Sequence, residues 1–260
     1  MTDEEVRSRA AEVNEQFRPI ELTAETVTRP AGRHTRTVHS FLRHLRAKGM
    51  DCVPEPVSLD GETETLRFID GDSGGDAWKH QHDDRGLRSA ALLLRRIHDA
   101  SADWAPPDDA VFAAPEAEEG DVFVNGDPGP WNFVWREGEA VALIDWDFLH
   151  PAPRLSDVAY ALRWFAPIRD DQAVIEWHHF PEVPDRRARI EGFLDAYGIP
   201  ADFDVADAVI RRIRSTNEHV RFLAGQGQEP QKTWVAEGDV EKEELVEIAW
   251  IEENRALFSR

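Results

Sequence analysis

Three residues in one stretch have the types and spacing to do phosphate chemistry. In DVFVNGDPGPWNFVWREGEAVALIDWDF, Asp127 is followed five residues later by Asn132, and a further apolar run delivers Asp145. A carboxylate that can take a proton, an amide oxygen and a second carboxylate form the set needed to move an anionic phosphoryl group to a hydroxyl. The anion has to be shielded, and hard oxygen ligands suit Mg²⁺ for that task. A lone Asp at a strand end is more often a turn former or helix cap. Asp147 is read evenly between that role and a part in the site. For Asp127, Asn132 and Asp145 together chance is a poor explanation.

Positioning such groups requires a rigid scaffold. The apolar runs VFV, NFVW and AVALI, each closed by Gly, Asn, Asp or Glu, read as short buried strands that end in polar loops. Loops held between such strands are where chemistry is usually placed. The next segment, SDVAYALRWF, reads as a helix that Ser156 or Asp157 could cap.

Taken together, NGDPGPWNFVW, VALIDWDF and RLSDVAYAL resemble the aminoglycoside phosphotransferase and choline kinase-like superfamily, with its H-G-D-x-x-x-x-N, I-D-W/F-x and D-x-A motifs. The resemblance implies an α+β, protein-kinase-like two-lobed fold. A small strand-rich N-lobe over residues 1–70 would cover the nucleotide, and a larger, mainly helical C-lobe over 71–260 would carry the catalytic loop. It implies Asp127 as catalytic base, Asn132 and Asp145 as Mg²⁺ ligands, and Asp157 as the buried brace of the loop. ATP or GTP would be the co-substrate, and the acceptor a small molecule such as an aminoglycoside-like sugar or an amino alcohol. Asn125 stands where the family usually has His and would support the loop.

The first 70 residues follow the family less closely. FRPIELTAETVTRP suggests two short strands, TRTVHSFLRHLRAKG a helix stopped at Gly49, and VPEPVSL and TETLRFI two more strands about an Asp60-Gly61 turn. Residues 3–16 read as a short amphipathic helix. There is no glycine-rich phosphate loop, and Arg29 occupies the neighbourhood of the expected lysine. An exposed strand-end arginine is the default expectation for Arg29; a phosphate contact is the alternative. Where a glutamate partner belongs, the helix offers Val38 and His39. In RFIDGDSGG the backbone of Phe68 to Asp70 would meet the adenine.

In the C-terminal part, GLRSAALLLRRIHDASADW is an amphipathic helix with Leu87, Ala90, Ala91, Leu94 and Ile97 inward. His98 near its end matches an L-x-x-L-H pattern of the superfamily and is read as a core-packed helix-end histidine. Two later helices are expected, with Val205, Val209, Ile213 and Val220 buried in one and Leu245, Ile248, Trp250 or Ile251, and Leu257 in the other.

Composition excludes several classes. A net charge of −21, from 51 acidic and 30 basic residues, opposes a nucleic-acid binder. No run of 18 apolar residues suggests a membrane span, and the acidic N-terminus is no signal peptide, so a cytoplasmic protein is expected. The single Cys52 excludes an internal disulfide and a cysteine zinc site, and the histidines show no ligand spacing. A carboxylate-pair glycosidase is disfavoured by Asn132. The remaining alternative is a kinase-like protein that has lost catalysis and binds instead. Some relatives of the group carry a trifolitoxin (bacteriocin) immunity label, and the atypical N-terminal region would suit such a role.

Overall fold

The computed structural model describes residues 19–113, 120–199 and 203–258; the expected helix at 3–16 lies outside them. Strands β1 (Glu21–Leu22), β2 (Thr26–Pro30), β3 (Pro56–Asp60) and β4 (Thr63–Arg67) form one antiparallel sheet in the order β1-β2-β4-β3. The Asp60-Gly61 turn joins β3 to β4, with Gly61 in the left-handed region at φ 60° that glycine tolerates. Helix α1 (Thr35–Ala47) crosses between β2 and β3, burying Val38, Phe41, Leu42 and Leu45 on one face.

Register matters here more than propensity. In the β2–β4 ladder Arg29 lies directly opposite Glu64. Opposed residues share a face of the sheet, so the two side chains meet. Along β4 burial alternates, and Glu64 and Leu66 are the two buried residues.

Helix α2 (Asp84–Ser101) is the central beam. Asp83 caps it, accepting from the Arg85 and Gly86 amides at 2.6 and 3.1 Å. Leu87, Ala90, Ala91, Leu94 and Ile97 are fully buried, at the spacing of one helical stripe. Next come the two-stranded pairs β5 (Val122–Val124) with β8 (His150–Ala152) and β6 (Phe133–Arg136) with β7 (Glu139–Leu143). The remaining helices are α3 (Arg154–Phe165), α4 (Asp171–Glu176), α5 (Arg186–Tyr197), α6 (Val205–Gly225), α7 (Gln231–Glu237) and α8 (Asp239–Glu253). The result is an α+β fold of two lobes, one strand-rich and one mainly helical.

Backbone bonds tie together segments that are distant in sequence. Asp72 and Trp135 exchange both amide bonds, at 2.9 and 2.8 Å, and the Leu143 amide donates to the Cys52 carbonyl at 2.9 Å. Helix α8 is fixed to α3 by a buried charge cluster, in which Glu247 accepts from Arg163 Nε at 2.6 Å and Arg169 Nη2 at 2.9 Å. Two guanidiniums outweigh the burial of the carboxylate and hold its pKa below the usual range. The inward face of α8 differs from the sequence expectation. Ile251 is buried, but Leu245 is 66% exposed; Leu257, 41% exposed, lies in a short 3-10 turn past the end of the helix. The Glu247 cluster sets the rotation of α8, so the face carrying Glu247 and Ile251 turns inward. Among the described residues no helix is long and apolar enough to cross a membrane.

Candidate active site

The loop after β5 is built from its backbone outward. Asp157, in the first turn of α3 and fully buried, accepts from the Asn125 amide at 2.8 Å and the Gly126 amide at 3.0 Å. His98 Nε2 lies 3.3 Å from the same carboxylate, and His98 Nδ1 is 2.7 Å from the Tyr197 hydroxyl. Burial alone would raise the Asp157 pKa. The contact and charge of His98, the charge of Arg212 and the Asn125 amide hold it below the ordinary value. His98 is therefore not only core packing at a helix end: it links Asp157 to α5.

Asn125 connects this loop to the one after β7. Its Nδ2 donates to the Asp145 carbonyl at 2.9 Å, and its Oδ1 accepts from the Asp127 amide at 3.1 Å. Gly126 has φ 86°, and a Cβ there would come within 2.6 Å of the Phe148 carbonyl oxygen, so the position needs glycine. Arg212, buried on α6, donates to the Gly126 carbonyl and lays its guanidinium 5.0 Å from the Tyr160 ring centre.

These contacts bring Asp127, Asn132 and Asp145 together. Asn132 Nδ2 donates to both the Asp127 carbonyl and Asp127 Oδ2, each at 2.8 Å. The Ile144 amide donates to the Asn132 carbonyl at 2.8 Å, aligning the start of β6 with the Asp145 loop. Asp145 has φ 54°, a conformation that Asp tolerates better than most residues and that recurs at functional sites. Its side chain is 43% exposed. Burial pushes the Asp127 pKa up to about 6; contacts from Tyr160, Trp131 and Asn132 oppose the rise and the charge of Asp145 adds to it.

Arg29 departs from the default expectation of an exposed strand-end residue. Only 11% of its side chain is exposed, and it bonds Glu64, Asp145 and Asp147. Burial opposes the charge, but the carboxylates of Asp147, Asp145 and Glu64 prevail and raise its pKa well above the arginine value. Asp147 sits in a turn, closed by the Leu149 amide on the Trp146 carbonyl, and is also an ion-pair partner, 2.7 Å from Arg29 Nη2 and 3.5 Å from His34 Nε2. The glutamate sought on α1 comes from β4 instead, and His39 of α1 reaches Glu64 Oε2 at 2.8 Å. Single-sequence reading missed Glu64. The available signal was an acidic residue on the inward alternation of a strand paired to β2. At the hinge, the Phe68 amide is already bonded to the Glu25 carbonyl at 2.8 Å, so that donor is not open to an adenine. Asp70 is exposed.

An aromatic wall flanks Asp127. Trp131 Nε1 is 3.4 Å from Asp127 Oδ2, and the Trp131 ring lies 5.2 Å from Trp78 and 4.8 Å from Trp164. His178 stacks on Trp164 at 5.1 Å and is fully buried. Among the described residues no group of three or more His, Cys, Asp or Glu could hold a metal ion unaided. A 370 Å³ pocket lined by Arg169, Trp177, Lys242 and Trp250 lies elsewhere, and none of Asp127, Asn132 or Asp145 lines it.

Burial and the neighbouring charge of Arg169 lower the His178 pKa to about 3. A histidine whose folded pKa lies below its unfolded value contributes stability that is complete above about pH 6.5 and is lost as pH falls toward 3. Between pH 7.5 and pH 5 the expected loss is about 2 kcal/mol. His219, lowered to about 4 by burial, acts in the same direction, whereas the raised Asp127 pKa offsets part of the loss. Urea unfolding at the two pH values should show the drop, with a smaller one in His178→Asn. Equal pH slopes in the two proteins would remove His178 from the account.

Two loops tied by Asn125 and braced by Asp157 bring a carboxylate, an amide and a second carboxylate together on a protein-kinase-like fold. Residues 108–209 match the phosphotransferase enzyme family, APH. A trifolitoxin immunity protein of Rhizobium leguminosarum bv. trifolii is 33% identical over 181 residues, 66% of this chain and 67% of that protein. The chain belongs to this phosphotransferase family. Solved structures agree in fold. A spectinomycin phosphotransferase in complex with ADP and spectinomycin aligns with TM-score 0.57 and 12% identity, covering 92% of this chain and 88% of that one. A macrolide 2'-phosphotransferase from Brachybacterium faecium aligns with TM-score 0.52 and 12% identity, covering 88% and 96%.

Proposed function

We propose that the protein transfers the terminal phosphoryl group of ATP to a hydroxyl of a small molecule, with Asp127 as base. The observation that carries this reading is the Asp127–Asn132 pair. Asn132 uses its side-chain nitrogen on Asp127, which leaves its side-chain Oδ1 for another partner.

The donor set fits Mg²⁺. Asn132 offers one hard oxygen and half-exposed Asp145 offers others. Two such ligands match an ion that completes its shell with phosphate oxygens and water rather than with an all-protein cage. Asn132 and Asp145 would hold it, and the ion would neutralise charge on the phosphates. The Asp127 carboxylate would take the proton of the acceptor hydroxyl as the hydroxyl oxygen bonds to phosphorus and ADP leaves. A pKa near 6 keeps Asp127 ionised at neutral pH while making it a stronger base than a solvated carboxylate. Asp157 and Asn125 would hold the loop geometry. The acceptor, an aminoglycoside-like sugar or amino alcohol, would lie against Trp131 and Trp78. In this reading the small lobe spans 1–70 and the large lobe 71–260. The adenine would meet backbone from the Phe68 carbonyl to Asp70, and Arg29 would face the phosphates.

The Rhizobium relative supports a second reading, a kinase-like protein that protects against a toxin by binding it. A thermal-shift titration with ATP separates the two, because a ligand of the folded state raises apparent stability by mass action. A rise that needs Mg²⁺ and disappears in Asp145→Ala is expected for the transferase. No rise under any condition would leave the binding reading.

A further inference from the structure

Arg29 does more than replace a lysine. Its Nε donates to Glu64 Oε1 and its Nη2 to Asp147 Oδ1, both at 2.7 Å, while its Nη1 reaches Asp145 Oδ1 at 3.2 Å. The three carboxylates come from β4 and from two positions of the loop after β7. Each tightly held partner has further support. Glu64 Oε2 is 2.8 Å from His39 Nε2, and Asp147 is 3.5 Å from His34 Nε2. The longest of the three bonds goes to the most exposed partner, since the Glu64, Asp147 and Asp145 side chains are 2%, 9% and 43% exposed. A planar guanidinium spreads its donors over three nitrogens and so spans carboxylates set apart in this way; the three donors of an ammonium radiate from one atom and reach less far.

We infer that Arg29 is a resident counter-cation of Asp145, anchored by Glu64 and Asp147, which competes with a divalent cation until nucleotide phosphates take over its Nη1. This rests on Asp145 being a metal ligand, as proposed above. The physical reason is like-charge opposition. A dication on the Asp145 carboxylate would lie a few ångströms from the guanidinium, in a site partly shielded from water. A triphosphate brings enough negative charge to satisfy both cations. Metal and nucleotide binding are therefore coupled: each alone is weak, and together they are strong. Glu64 and His39 are positioning residues that keep the guanidinium from swinging away to solvent.

The test uses Mn²⁺ as probe, with free Mn²⁺ read by electron paramagnetic resonance on the full chain, with and without ADP. The wild type should bind Mn²⁺ poorly alone and at least about tenfold more tightly with ADP, a coupling of ordinary allosteric size. Arg29→Gln should bind Mn²⁺ alone at least about tenfold more tightly than the wild type. Mn²⁺ should also raise its melting temperature, because it loses a cation among three carboxylates. Arg29→Lys keeps the charge and guards against a folding failure of the glutamine variant; it should fall between the two. If all three proteins bind Mn²⁺ alone equally, and all bind it more tightly with ADP, the counter-cation role is wrong and the metal reading stands. If none binds Mn²⁺ with or without ADP, the metal reading falls and the inference falls with it.

Discussion

Asp127→Asn is expected to lower phosphoryl transfer by about 10²- to 10⁴-fold, the usual contribution of a positioned general base. ATP affinity in the presence of Mg²⁺ should change by no more than about threefold, since uniform binding does not depend on the base. The substitution is nearly isosteric. The new amide oxygen can still accept from Asn132 Nδ2, which now donates to Asp127 Oδ2 at 2.8 Å, and the neighbouring indole of Trp131 keeps its place. The capacity to take a proton is removed, and one of the two acceptor oxygens becomes a donor. The check is ADP release with whichever acceptor supports wild-type turnover, alongside an ATP titration. Normal turnover in the variant would assign the base elsewhere. A parallel loss of ATP binding would mean that Asp127 holds the loop rather than the proton.

Asp157→Ala should be the most destabilising single change near the site, by about 3–5 kcal/mol, the range for breaking a buried charged network by removing one partner. Asp157 is the acceptor for the Asn125 and Gly126 amides and the contact of His98 Nε2. Alanine leaves two buried N–H groups and an imidazole without that partner, each at the cost of desolvation. For a chain of this size the melting temperature should fall by about 10 °C. Asp157→Asn should recover only part of the loss, since one of its two terminal groups is a donor that would face a backbone donor. A melting temperature within about 2 °C of the wild type for the alanine variant would show that the loop does not depend on this carboxylate.

The parts of the fold that were legible in the sequence are those in which local pattern and burial coincide. The stripe Leu87, Ala90, Ala91, Leu94 and Ile97 reads as a buried helix face from spacing alone, and all five are fully buried. The three strand-end polar positions could be read because short apolar runs flank each of them. Strand β8 could not be read. It is three residues long, contains Pro151 and exists through its pairing with Val122–Val124. Arg29 and Glu64 are 35 residues apart and become a pair only through the β2–β4 register, which no local pattern specifies. Leu245 and Leu257 show the opposite failure. Their spacing is compatible with burial, but the Arg163–Glu247–Arg169 cluster fixes the face of α8 and leaves Leu245 exposed, while Leu257 lies past the end of α8 in a separate turn.

The aromatic wall beside Asp127 also gives the protein a built-in optical reporter. Trp78, Trp131 and Trp164 lie within 4.8 to 6.1 Å of one another, close enough for their excited states to couple. Trp131 Nε1 points at the carboxylate that would receive a proton. An acceptor entering against these rings would change their near-ultraviolet circular dichroism and emission directly, whereas adenine at Phe68–Asp70 would act on them only indirectly. Candidate acceptors can therefore be ranked by the light the protein itself absorbs and emits, before any turnover is detected.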